Sequence, residues 1–252
     1  MENKNLKLTG LAMIAALAAG NAKATYLPDN YIGANGNNPS TTDVYGSSIY
    51  NVAGVEVNQN GNFLNMLFDS PFTERKSGYT MGDLFLSTDG WNPFGVEPFN
   101  SDNMINGEPW EVALDSSEGG KMYANTGINP LSIQTSSYRR GHEIARNGGG
   151  EFINSLSSFT NYNDDSDPLT NGLLFKVDLN ALGNFFGDDW KKDSLGFHFS
   201  PASCGNDVIE GQVKLNYTPE TVPEPATVLL LGLGLAGIGY ESRRRRKNNL
   251  NK

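Results

Sequence analysis

Between residues 25 and 220 no stretch of ten or more positions repeats its apolar side chains with the 3.6-residue period of a helix. Alternation recurs instead. In 207–217 (DVIEGQVKLNY), Val208, Glu210, Gln212 and Lys214 fall on one side of an extended chain, and Ile209, Gly211, Val213 and Leu215 on the other. Val55-Glu56-Val57 and Phe63 to Phe68 flank Asn60-Gly61, a pair suited to a hairpin turn because it accepts positive φ. Further strands are expected at 48–53, 79–87, 110–114, 120–124, 131–136, 172–179 and 194–199, with one short helical turn at 180–187. Glycine, asparagine, aspartate and proline punctuate them, and no fixed repeat links them, so a propeller or solenoid is not expected. Such a pattern predicts an all-β fold: a single antiparallel β-sandwich or jelly-roll-like domain over 25–220.

The two ends read differently. Lys4 and Lys7 precede an apolar run from Leu11 to Ala19, and Ala22-Lys23-Ala24 offers small residues where a signal peptidase cuts. Residues 1–24 are therefore expected to be a secretory signal peptide, leaving Thr25 as the new N-terminus. At the other end, Ala226 to Tyr240 is a second apolar run of fifteen residues, about 22 Å of helix against a bilayer core of about 30 Å. It predicts a short transmembrane helix. Arg243, Arg244, Arg245 and Arg246, with Lys247, place its far end in the cytoplasm by the positive-inside rule. That orientation and the signal peptide agree: residues 25–220 face away from the cytoplasm. Pro223 and Pro225 hold the junction before the helix extended, because proline lacks an amide hydrogen and restricts its predecessor.

Val222-Pro223-Glu224-Pro225, the apolar run and the arginine cluster together resemble the PEP-CTERM sorting signal of Gram-negative bacteria, here spanning 221–247. The resemblance implies a substrate of exosortase, a transpeptidase-like membrane enzyme, and a link to exopolysaccharide and biofilm. Signal peptidase and exosortase are the implied processing partners, and exopolysaccharide is a candidate ligand. The inner membrane, with the ectodomain in the periplasm, is a transient station on the way to the cell surface or extracellular matrix. GDLFLSTDGW (82–91), GHEIARNGGGEF (141–152) and SCGNDVIEGQV (203–213) are similar to segments of many PEP-CTERM ectodomains. That likeness implies a recurring β-rich module and carries over no catalytic residue.

Charge narrows the function classes. Residues 25–220 hold 10 Lys and Arg against 25 Asp and Glu, a net of −15, whereas the whole chain stands at −9. An acidic body repels nucleic acid. It favours solubility and divalent cations. Cys204 is the one cysteine, so no disulfide forms within the chain and the core alone must hold the fold. Its role is open between a thiol that pairs molecules and a small buried side chain.

Three constellations are candidates for chemistry. His142-Glu143-Ile144-Ala145-Arg146 begins like a zinc-protease helix, but Arg146 replaces the second histidine, so the protease is rejected. With only His142 and His198 in the chain, a zinc site would need carboxylates or Cys204 to complete it. Asn163, Asp165 and Asp167 are candidate calcium ligands in an acidic loop, though Pro168 and Leu174 exclude an EF-hand, and solvated charge is the simpler reading. Trp91, Trp110 and Trp190 lie beside Asp89, Glu108 with Glu111, and Asp188 with Asp189, the aromatic and acidic partners a sugar site uses. Against that, tryptophans in a sandwich usually fill the core. No nucleophile elbow, P-loop or dinucleotide fingerprint is present. Gly148-Gly149-Gly150 is expected to let a strand bend or another backbone approach. The sequence thus predicts an exported, non-catalytic surface or matrix protein with no required cofactor, calcium being the one candidate. A lectin-like carbohydrate-binding module, with or without calcium, is the alternative, and a matrix glycoside hydrolase the third reading.

Overall fold

Gly61 sets the first hairpin. β2 (Gly54–Asn60) and β3 (Phe63–Asp69) pair with Asn60 opposite Phe63, leaving Gly61 and Asn62 as the loop. The turn lies one residue beyond the expected Asn60-Gly61. Gly61 alone takes a positive φ, +58°, and glycine in the first loop position meets the need of one of the two favoured two-residue turns. The computed structural model describes residues 24–34, 43–72, 81–103, 105–136, 139, 141–162, 172–187, 190, 193–201 and 204–216. All of the expected signal peptide but Ala24, the calcium candidates Asn163, Asp165 and Asp167, Asp188 and Asp189, and the whole of 221–247 lie outside the described residues. The chain divides into two units, Met1–Thr218 and Pro219–Lys252, and every described residue belongs to the first.

Two antiparallel sheets form a sandwich. The five-stranded sheet runs β1 (Thr25–Pro28), β2, β3, β11 (Gly172–Asp178), β10 (Ser158–Tyr162). The six-stranded sheet runs β13 (Ile209–Lys214), β12 (Ser194–Phe199), β4 (Leu84–Ser87), β5 (Val112–Asp115), β6 (Lys121–Ala124), β9 (Glu151–Ile153). Alternate residues of each sheet meet in one core. Phe68 on β3 packs on Phe199 of β12 with ring centroids 4.5 Å apart, and Phe175 on β11 reaches the same ring at 5.6 Å. Val55, Leu64 and Met66 from one sheet and Leu84, Leu114 and Leu195 from the other complete it. Each such side chain removed from water contributes about 1.5–3 kcal/mol.

One expected strand is corrected. Residues 48–53 do not form a strand; Ser48–Tyr50 is a 3-10 turn, and Tyr50 and Val52 pack into the core. The short helix is present as α1 (Leu179–Phe186). Its N-cap is Asp178, whose Oδ1 accepts from the Ala181 amide at 3.1 Å.

The larger departure concerns the outer face of the six-stranded sheet. Alternation predicts one wet face, yet all six residues of β12 are buried. A hairpin of β7 (Leu131–Thr135) and β8 (Glu143–Gly149) covers that face and packs Leu131 and Ile133 onto Phe85, Trp110 and Ala113. The expected bend at Gly148-Gly149-Gly150 is where this layer closes: a Cβ on Gly149, at φ +64°, would stand 2.2 Å from the Pro130 carbonyl oxygen. Glu210 and His198 point into this covered layer and are consequently buried. Among the described residues no helix is long and apolar enough to cross a membrane.

Candidate functional site

His198 and Glu210 are direct partners across the β12–β13 ladder, and both side chains leave the sheet on its outer face. His198 Nδ1 lies 2.8 Å from Glu210 Oε1, and Nε2 lies 2.6 Å from the Glu143 carbonyl oxygen. Both neighbours are acceptors, so both ring nitrogens carry hydrogen: His198 is an imidazolium. Burial pulls its pKa down, but the hydrogen bond and charge of Glu210 outweigh that and hold it above the ordinary value. For Glu210, burial pushes up while the imidazoles of His142 and His198 pull further down, to about 2.

His142 stacks parallel to His198, the planes 6° apart and the centroids 5.9 Å apart, yet its state is opposite. The Ala34 amide donates to His142 Nε2 at 3.0 Å, so the ring proton sits on Nδ1. Nδ1 faces Glu210 Oε1 at 3.7 Å, longer than a hydrogen bond. Burial lowers the pKa of this ring and keeps it neutral. The approach of Ala34 depends on Gly33 at φ +69°, where a Cβ would stand 2.6 Å from Nε2.

His142, His198 and Glu210 bring three ligand-type atoms within 4.8 Å of one another, the composition of a zinc site. The protons argue otherwise. A metal needs a lone pair, and the only one on His142 is spent on Ala34. These residues fit a charge-paired hydrogen-bond network and do not fit a metal. Two acidic groups also cluster. Asp29, Asp43 and Asp207 surround the fully buried Arg139, whose Nη2 lies 3.8 Å from Asp207 Oδ1. Burial first, and then the neighbouring carboxylates, push Asp29 to about 9 and Asp207 to about 7. Asp89, Glu108 and Glu111 form the second cluster. There Glu108 accepts from the Asn92 amide at 2.8 Å and Glu111 from the Thr88 amide at 2.8 Å, which ties down the loop carrying Trp91.

Trp91 links this loop to the histidine layer: its Nε1 donates to Glu210 Oε2 at 3.0 Å. Its ring meets Phe99 at 5.4 Å and Tyr31 at 6.4 Å, and Tyr31 stacks on Phe99 at 5.8 Å. Tyr31 is fixed in turn by its hydroxyl, which donates to Asp102 Oδ2 at 3.0 Å. Against these rings opens a cavity of about 430 Å³, between Leu27 and Pro28 of β1 and Ile209 to Gln212 of β13. Glu97, Asn30 and Gln212 supply its polar lining.

Comparison with known proteins bears on the end of the chain. Residues 221–246 match the family model of the PEP-CTERM protein-sorting motif. The chain carries a PEP-CTERM sorting motif. The match contains Val222, Pro223, Glu224 and Pro225 and the arginines Arg243, Arg244, Arg245 and Arg246. The PEP-CTERM motif marks an exported protein that exosortase targets and that is sorted by way of the membrane. No curated protein matches the chain, and no solved structure matches it.

Of the three tryptophans expected near carboxylates in this chain, only Trp91 stands at the cavity. Trp110 is 5% exposed and packs on His198, and Trp190 is 3% exposed within the main core, so neither offers an open ring face. Asp89, Glu108 and Glu111 do come together, Glu108 and Glu111 as acceptors from backbone amides and Asp89 as an acceptor from Ser87 Oγ at 2.7 Å. Cys204 is half-buried, its carbonyl accepting from Ser136 Oγ at 2.7 Å. The sequence reading missed Tyr31, Phe99 and the His198–Glu210 pair. Alternation put Glu210 on the polar side of its strand, and the same alternation in 194–199 would have aligned His198 with it.

Proposed function

We propose that this protein acts outside the cell as a non-catalytic component of an exopolysaccharide matrix, delivered by exosortase after signal peptidase has removed residues 1–24. The match of 221–246 to the sorting motif carries this reading. The acidic, all-β body suits it, since a strongly charged domain stays soluble on export and has no affinity for nucleic acid. What supports binding over hydrolysis is the state of Glu210. Both its oxygens are engaged, by His198 and by Trp91, which leaves it poorly placed to give or take a proton from a substrate.

Fractionation of wild-type cells, exosortase-deleted cells and cells lacking polysaccharide synthesis tests the proposal. The protein is expected in the matrix fraction of the wild type alone. Equal matrix retention in all three strains would contradict it. A second reading, the lectin-like module, is favoured by the aromatic cavity at Trp91. Its calcium-dependent form would use Asn163, Asp165 and Asp167, and glycan binding with and without a chelator separates the two forms.

A further inference from the structure

We propose that the cavity between β1 and β13 binds a short run of neutral or amino-sugar units and excludes acidic sugars, an inference that rests on the matrix reading for its choice of a carbohydrate. The volume, about 430 Å³, lies within the range of small-molecule sites, about 300–1,000 Å³. Its walls divide as a sugar divides. A pyranose ring has an apolar C–H face and a rim of hydroxyls. Trp91 and Phe99, backed by the buried ring of Tyr31, offer aromatic faces to the first, and Asn30, Gln212 and Glu97 offer donors and acceptors to the second.

The site is built in advance. Trp91 is held at its indole nitrogen by Glu210, which is itself locked by the His198 imidazolium, and the amide after Trp91 is held by Glu108. Groups fixed before binding lose little freedom on binding. Phe99 supplies an independent sign. Its φ is +60°, the left-handed region, and it is the one non-glycine residue there among the described residues. A bulky side chain in that conformation is strained, and such strain gathers at ligand clamps where the surroundings enforce it. The enforcing contacts here are the rings of Tyr31 and Trp91. The same loop also exposes the apolar side chains of Phe94, Val96 and Ile105.

Charge selects among sugars. Glu97 and Glu210 line the cavity, and among the described residues no lysine, arginine or histidine does. Glu210 is balanced by His198, so Glu97 leaves the lining with negative charge. The whole body adds to this at −15 over 25–220. A uronate would meet repulsion with no cation to receive it. A free amine would meet a carboxylate and the faces of aromatic rings.

The test is titration of the full chain, held in a detergent without a sugar head group, with four probes: cellotetraose, N-acetylglucosamine tetramer, glucosamine tetramer and galacturonate tetramer. Saturable binding of at least one of the first three, read by tryptophan fluorescence and calorimetry, is expected, with no binding of galacturonate. Trp91→Ala should weaken binding at least about tenfold. Because that change also removes the bond to Glu210, Gln212→Ala serves as the second variant and should weaken the same probe with the melting temperature unchanged. Failure of all three probes, equal binding of galacturonate, or full affinity in both variants would overturn the proposal. Loss of probe binding while the protein still stays with the matrix would overturn this site alone. Intact probe binding by a protein that never stays with the matrix would overturn the matrix reading alone.

Discussion

Trp91 and Glu210, 119 positions apart in the chain, are joined by one hydrogen bond of 3.0 Å from the indole nitrogen to Oε2. That bond couples an open aromatic cavity to a buried charge pair. Glu210 cannot turn toward the cavity without abandoning His198, so the indole has a fixed acceptor.

Removing the carboxylate should therefore be costly. Glu210→Ala leaves the His198 imidazolium without a counter-charge and the Trp91 donor without an acceptor. Breaking one half of a buried pair costs about 3–5 kcal/mol. Glu210→Gln keeps an acceptor oxygen for Trp91 and turns its amide NH2 to a His198 that has given up its Nδ1 proton, so it should cost less. Urea unfolding of the two variants checks the order, and an unchanged midpoint for Glu210→Ala would show that the pair does not hold the layer together.

Stability should fall as pH rises. Burial raises Asp83, Glu111, Glu143 and Asp207 to about 7 and Asp29 to about 9. Between their unfolded values near 4 and these folded values the native state holds more protons, so stability declines through that window. His198, raised, acts in the same direction: its contribution is complete below about 6.5 and is lost as pH climbs through its folded value. Glu210, at about 2, contributes above the ordinary carboxyl range and loses that only as pH falls toward 2. His142, lowered, opposes the trend by disfavouring the folded state below about 6.5. The raised carboxyls outnumber it. Melting is expected at a higher temperature near pH 5.5 than near pH 8.5, and the reverse order would contradict the burial of these acids.

Arg139 should show the same chemistry from the other side. It is fully buried among Asp29, Asp43 and Asp207. Arg139→Met removes the cation and leaves the carboxyls. The expected loss is about 3–5 kcal/mol in alkaline solution, and it should shrink toward pH 5, where the carboxyls take up protons. Melting curves of the variant across pH read this directly, and a loss independent of pH would place the effect in packing alone.

The strands were legible because β2, β3, β11, β12 and β13 alternate cleanly, and a period of two needs only local residues to be seen. The hairpin at Gly61 was legible to within one residue for the same reason. The third layer was not. Nothing local in 131–149 says that it lies over β12, and a polar alternate such as Glu210 reads as wet until its cover is known. Two histidines separated by 56 positions, His142 and His198, gave no spacing signal at all. Tyr31 and Phe99 were invisible for a similar reason: their meeting with Trp91 depends on loops that cross between sheets. The sorting motif was the opposite case, since its three parts are contiguous and ordered along the chain.

The intact mass of the mature protein tests the central claim, that the motif at 221–246 directs export and exosortase processing. Protein recovered from the surface of wild-type cells should begin at Thr25 and end near Val222 to Pro225, the apolar run and the arginines having been removed. Exosortase-deleted cells should retain a signal-cleaved form that still ends at Lys252. Wild-type surface protein with its mass complete to Lys252 would contradict the account and leave the tail as an ordinary membrane anchor.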